Sequence, residues 1–259
     1  MIQQSAKVSS LKQEQARRII FVTGRQGAGK SFLANGLASK YGFTHLDGDY
    51  WSCHEDVKGL RTALCESMLE YNSSTIYDEY SNEDQNEALW KSFYDAMCKD
   101  AVRMSYASES GVLLISHSIY RRSQRAYVAR KLGKDCLFLV DCLFLVVASP
   151  PEIALQRAAQ SSFNYYRAVC DKSVNEWKEM FRIHSADYQE FDPSEREDIH
   201  AVVLENDERT TKAGLLQSAE NLVGLSSSSS SSSSLSSPLS TCSCFDSLRQ
   251  RPCQQVCCS

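Results

Sequence analysis

Eight consecutive residues, Gly24-Arg25-Gln26-Gly27-Ala28-Gly29-Lys30-Ser31, have the spacing G-x-x-x-x-G-K-[ST], whose chemistry is the capture of phosphate oxygens. Glycine lacks a β-carbon, so the backbone can turn its N–H groups onto an anion. A helix starting at Lys30 adds the positive end of its dipole. Lys30 is then the mobile cation for the outer phosphates and Ser31 a hydroxyl ligand for magnesium. The apolar run Ile19-Ile20-Phe21-Val22 before the loop and the helical pattern Phe32, Leu33, Leu37, Ala38 after it supply the strand–loop–helix setting. All eight residues are therefore expected at a nucleoside triphosphate with magnesium, which does not yet name the reaction.

Two further groups carry charge in places where chemistry is expected. Asp47-Gly48-Asp49 follows a short apolar run; one carboxylate can orient magnesium or its waters while the other accepts a proton from an attacking hydroxyl. The plain alternative is a turn with solvated acids. His117-Ser118-Ile119-Tyr120-Arg121-Arg122-Ser123-Gln124-Arg125 follows another apolar run. Its three arginines can hold an anionic substrate or a phosphoryl group in transfer, against the alternative of a solvated helix face. Ile115-Ser116 stands where motor ATPases place a magnesium-binding aspartate, which argues against that class. Arg157, and Arg167 at the end of the polar aromatic stretch 161–167, are candidates for a lid that closes over the nucleotide, or else surface residues. Trp177, Met180 and Phe181 recur at helical spacing and read as packing. His45, His184 and His200 read as structural or solvated, and His54 and His117 draw interest from their neighbours alone.

Short apolar runs alternating with longer helical patterns predict a parallel sheet with crossover helices. Strands are expected at Arg18–Thr23, Phe43–Leu46, Val112–Ser116, Leu143–Ala148 and Ala201–Leu204. Helices are expected over 30–40, 57–70, 84–106, 122–132, 151–160, 173–190 and 210–223. Ligands bind beyond the carboxyl ends of such strands, where the charged groups above fall. Asp135-Cys-Leu-Phe-Leu-Val140 is repeated at once as Asp141-Cys-Leu-Phe-Leu-Val146. The six-residue shift preserves side-chain facing, so either copy can serve as the strand.

The chain has 259 residues and a formal net charge of −4. With no basic stripe, a nucleic-acid partner is not expected, and the acceptor is expected to be small. No apolar run approaches a membrane span, and residues 1–17 form a polar extension without a signal-like segment, so a cytoplasmic protein without membrane partners, monomeric or homodimeric, is expected. Of eleven cysteines, the six before residue 226 show no metal-type pairing and read as reduced and structural. Nine serines, 226–234, open a tail with no apolar face. Residues 226–259 are expected to be disordered, leaving 18–225 as the domain.

Together, the loop, Phe43-Thr-His-Leu-Asp47-Gly48-Asp49 and His117-Ser118-Ile119-Tyr120-Arg121-Arg122-x-x-Arg125 resemble the gluconokinase family of P-loop small-molecule kinases, relatives of shikimate kinase. The resemblance runs from about Arg18 to Val223. It implies a three-layer α/β/α P-loop NTPase fold with a five-stranded parallel sheet, and ATP-dependent phosphorylation of a small-molecule hydroxyl, with ATP and Mg2+ as cofactors. By that likeness Lys30 and Ser31 take the phosphates and magnesium, and Asp49 with Asp47 takes the substrate hydroxyl or the metal. His117, Arg121, Arg122 and Arg125 fall on the substrate side, with Lys30, Asp49 and Arg121 catalytic. Arg157 matches the arginine that begins the lid. This chain has Asp84-Gln-Asn-Glu-Ala-Leu-Trp90 in place of the family's aspartate-arginine-proline-tryptophan-leucine segment, and His117 in place of its cysteine. A nucleotide or dephospho-coenzyme A kinase, and a non-catalytic nucleotide-binding switch, are the other readings open to these residues.

Overall fold

The computed structural model describes residues 17–52, 54, 56–64, 83–134, 140–161, 182, 185–186 and 188–225. Five strands form one parallel sheet: β1 (Arg17–Gly24), β2 (Thr44–Asp47), β3 (Val112–Ser116), β4 (Val140–Ala148) and β5 (Ala201–Glu205), in the order β2-β3-β1-β4-β5. The inner strands β1, β3 and β4 are mostly buried apolar runs rather than alternating ones, while β2 at the edge, Thr-His-Leu-Asp, is largely half-buried. The phosphate-loop strand is central, paired with β3 from Arg18↔Val112 to Val22↔Ser116 and with β4 from Arg17↔Val140 to Gly24↔Val147. Its neighbours change sides of the chain order there, so its carboxyl end is the topological switch point where ligands bind.

Alternate side chains feed two cores. Ile19, Phe21, Leu113, Ile115, Phe144 and Val146 face one side. They pack under α4 (Glu83–Ala107) and α5 (Arg122–Lys134), which contribute Phe93, Met97, Ala101, Val128 and Leu132. Phe21 and Phe144 stack at 5.4 Å across adjacent strands. Ile20, Val22, Leu114, Leu143, Leu145 and Val147 face the other side. There they meet Leu33, Ala34 and Leu37 of α1 (Lys30–Tyr41) and Leu215 and Ala219 of the last helix, α7 (Lys212–Leu222). The result is the expected three-layer α/β/α P-loop fold with five parallel strands. Between these elements lie α2 (Gly48–Trp51), α3 (residues 56–64) and α6 (Pro151–Ser161).

Several local expectations change. The strand expected from Leu143 begins at Val140, and the second copy of the repeat forms most of it; Asp141 is held at the sheet's lower end by Arg18 Nε at 3.1 Å. Residues 135–139, most of the first copy, lie outside the described residues. The Asp-Gly-Asp turn is one turn of helix, α2, because the Asp47 carboxylate accepts the backbone N–H groups of Asp49 and Tyr50. A helix continuing to residue 190 is wrong at its end: 188–192 are not helical. Their backbone is engaged elsewhere, Gln189 N–H donating to the Tyr120 carbonyl and the Gln189 carbonyl accepting from Arg125. An unforeseen 3-10 turn, Pro193–Glu197, follows, closed by a capping box between Asp192 and Glu195. Trp177, Met180, Phe181, His184, Arg167 and the tail 226–259 lie outside the described residues.

Candidate active site

At the carboxyl end of β1 the chain turns through 25–29 into α1. Gly24 and Gly27 have φ of 144° and 81°. A β-carbon would sit 2.3 Å from the Val147 carbonyl oxygen at Gly24 and 2.0 Å from that of Ala154 at Gly27, so backbone shape and close packing both demand glycine there. The Asn206 side chain donates to the Ala28 carbonyl at 2.7 Å, bracing the loop from beyond β5. α1 has no side-chain cap and no acid in its first turn, so no carboxylate of its own competes for an anion at its N-terminus. The Lys30 ammonium arcs back to donate to the Arg25 carbonyl at 3.0 Å. Burial pushes it down to about 8, opposed by the charges of Asp49 and Asp47. A buried cation short of partners at the mouth of a glycine cradle fits a polyphosphate.

Asp49 is the acid that Lys30 feels most. Crowding by protein atoms pushes its carboxyl up, but His117, Lys30 and Arg61 together hold it below the usual carboxylate range, although about half of the side chain remains open to solvent. His117 Nδ1 lies 3.7 Å from Asp49 Oδ1, and the imidazole rests against the rings of Phe93 and Tyr94. This contact depends on Gly48, where a β-carbon would come within 2.7 Å of the His117 ring. Asp47 Oδ1 is occupied in capping α2, which fixes the direction of Asp49. Trp51, on the same turn, is buried and donates to Asp100 at 2.9 Å. Lys30 and His117 thus both act on the Asp49 carboxylate, and Arg61 of α3 adds a charge that no motif signalled.

Ser31 and Ser116 bring a second group together. Their hydroxyls are 3.4 Å apart. Ser116 also lies 2.9 Å from His45 Nε2, while His45 Nδ1 lies 2.9 Å from Asn35 Oδ1. Burial holds the His45 imidazole below its ordinary value, partly opposed by Asp47. The strand-end rule points to Ser116, but nothing in sequence singles out His45, because only the β2–β3 register, which pairs His45 with Leu114, puts it diagonal to Ser116 on the same face. Among the described residues no cluster of three or more His, Cys, Asp or Glu is placed to hold a metal. The donors near the loop are instead Ser31 and the Asp-Gly-Asp acids, hard oxygen ligands of the kind that hold magnesium jointly with phosphates.

The arginines divide. Arg125, expected on the substrate side, is fully buried, and all five of its N–H donors are engaged: with both Glu195 oxygens at 2.7 Å and with the carbonyls of Ile119, Gln189 and Glu190. It has nothing left for a ligand and is a structural hub, a correction that follows from burial and saturation. Arg122 turns outward to Asp192 at 3.2 Å, lining a small side cavity with Ser123, Ser194 and Asp198. Arg121 begins the turn before α5, its N–H bonded to Gln124 Oε1. Arg157 of α6 donates to the carbonyls of Asn206 and Asp207 at 3.3 and 2.9 Å, beside the brace of the phosphate loop. Arg25 of the loop donates to the Ser185 carbonyl and to Glu190, stacked 4.9 Å from the Tyr188 ring centre.

No protein-family model and no curated protein sequence matches the chain. Among solved structures it is similar to the protein APE1195, with a TM-score of 0.50 and 19% identity over 81% of this chain and 96% of that one. A sugar kinase from Janibacter sp. superimposes with a TM-score of 0.49 at 17% identity, covering 81% and 96% of the two chains. For a gluconokinase from Sinorhizobium meliloti the TM-score is 0.42 at 18% identity, covering 82% and 99%. At these identities the likeness is one of fold.

Proposed function

We propose that the protein is a small-molecule kinase, transferring the terminal phosphoryl group of ATP to a hydroxyl of a sugar-acid-like or polyol-like acceptor. The observation that carries this reading is the glycine loop with Lys30 folded back to the Arg25 carbonyl at 3.0 Å, within electrostatic reach of an Asp49 carboxylate that faces His117 Nδ1 at 3.7 Å. Phosphoryl transfer needs little covalent chemistry from the protein; it needs position and charge. The glycine loop and the N-terminus of α1 cradle the phosphates, and Lys30 neutralises charge on the group in transfer. Asp49, held ionised, accepts the acceptor's hydroxyl proton as its oxygen attacks phosphorus and the bond to the nucleotide breaks. His117 sits where it orients Asp49 or the acceptor. Ser31, with the Asp-Gly-Asp acids, would hold magnesium, which would supply charge neutralisation on the phosphates.

The test is acceptor-dependent ADP release by the full chain against sugar acids, polyols, nucleoside monophosphates and dephospho-coenzyme A. Turnover with one of the first two classes supports the proposal. Turnover with the latter two moves the acceptor class, and ATP binding without turnover on any of them favours a nucleotide-binding switch. Asp49→Asn is expected to keep ATP affinity while reducing transfer by orders of magnitude; unchanged transfer would remove Asp49 from the base role.

A further inference from the structure

Motor-type P-loop ATPases end the strand beside the phosphate loop with an aspartate that helps to hold magnesium. Here β3 ends in Ser116, a neutral hydroxyl buried to 2% exposure, and a serine is a far weaker acceptor than a carboxylate. Four residues come together there. Ser31 and Asn35 stand one turn apart on α1 and so share a face, while His45 and Ser116 project from adjacent strands toward it. The contacts close a circuit: Ser31 to Ser116, Ser116 to His45 Nε2, His45 Nδ1 to Asn35 Oδ1.

Hydrogen-bond direction around that circuit is set from the Asn35 end. Asn35 presents Oδ1 to the ring at 2.9 Å, and because a carbonyl oxygen only accepts, the tautomer that fits this contact carries its hydrogen on Nδ1 and leaves Nε2 bare. A bare Nε2 accepts the Ser116 hydroxyl hydrogen at 2.9 Å. With its own hydrogen committed, Ser116 meets Ser31 as an acceptor, so the Ser31 hydroxyl points its hydrogen at Ser116. Its lone pairs are thereby left for a cation. The two hydroxyls are 3.4 Å apart, at the long end of hydrogen-bond range.

We infer that His45, locked by Asn35 and acting through Ser116, is a positioning residue that orients the Ser31 hydroxyl for magnesium, doing with an imidazole what a strand-end carboxylate does in motor-type P-loop ATPases. This role rests on the kinase reading only in supposing that a metal–nucleotide complex binds at the loop. Partners that fix a metal ligand's orientation are typically worth 10- to 100-fold in metal affinity.

The experiment measures Mn2+ affinity, by electron paramagnetic resonance, for the full chain carrying a non-hydrolysable ATP analogue. His45→Phe and Ser116→Ala are each expected to lose about 10- to 100-fold in Mn2+ affinity with metal-free nucleotide affinity retained. Ser116→Asp is expected to restore tight Mn2+ binding in the His45→Phe background, a rescue that a purely structural role for His45 would not give. Asn35→Ala, at an exposed position, supplies the test should the bulkier ring prevent folding, and is expected to lose affinity in the same direction. In the metal-free wild type, heteronuclear NMR of the imidazole should find Nδ1 protonated and Nε2 bare. Unchanged Mn2+ affinity in the His45 and Ser116 variants, or in Asn35→Ala where His45→Phe does not fold, overturns the inference; so does the opposite tautomer. Failure of the wild type to bind the analogue with Mn2+ sinks the kinase reading itself, a result distinct from either.

Discussion

The burial of Lys30 works against stability. Its buried ammonium has a folded-state value of about 8, below the ordinary 10.5, so charging it costs on the order of 3 kcal/mol at any pH below about 8. That cost is relieved as pH rises from about 8 toward 10.5, where the unfolded chain holds the proton more tightly than the folded one. Lys30→Met is therefore expected to raise stability at pH 7 by roughly 1–3 kcal/mol in denaturant titrations, while abolishing triphosphate binding. A loss of stability would show that the burial penalty is already offset within the protein. Because a bound polyphosphate restores the charge, nucleotide binding near pH 8.5 should take up a proton, read by calorimetry in buffers of differing ionisation enthalpy. Gly48 is the other decisive position: with 2.7 Å of room toward His117, Gly48→Ala must displace the imidazole. Acceptor phosphorylation should fall at least tenfold with nucleotide affinity intact, and unaltered turnover would show that His117 has no part in the reaction.

The elements are tied together around Arg125. Its guanidinium links α5 to the stretch 188–190 and to Glu195 of the 3-10 turn, and Glu195 in turn accepts the Asp192 N–H to complete the capping box. Removing one partner strands a buried charge, so Arg125→Met and Glu195→Gln are each expected to cost about 3–5 kcal/mol in chemical denaturation. The double variant Arg125→Met/Glu195→Leu should lose clearly less than the two added together; additive losses would mean that the pair is not coupled. The motif reading put this arginine with the substrate because three arginines fell close together in sequence. Helical geometry sends them apart: Arg122 points to solvent and Arg125, almost one turn on, points inward.

Across the whole molecule, the described fold closes on itself at residue 225. Leu225 packs on the α1 and α7 core, its N–H bonds the Glu220 carbonyl, and its carbonyl accepts the Tyr41 hydroxyl. Truncation after Leu225 is expected to leave the unfolding midpoint and nucleotide affinity unchanged, measured by thermal denaturation with and without ATP; a lower midpoint would assign 226–259 a structural role. The sequence by itself determined the parallel sheet, the phosphate loop at the end of the first strand and the placing of acids after the second, because these rest on local patterns: apolar runs buried on both faces, glycine spacing and strand–loop–helix order. Only the tertiary structure decided that Arg125 is buried, that Asp47 caps α2, and that His45, Ser116 and Asn35 form a circuit with Ser31. Each of those depends on strand register and helix facing, and contacts between residues tens of positions apart leave no periodic trace along the chain.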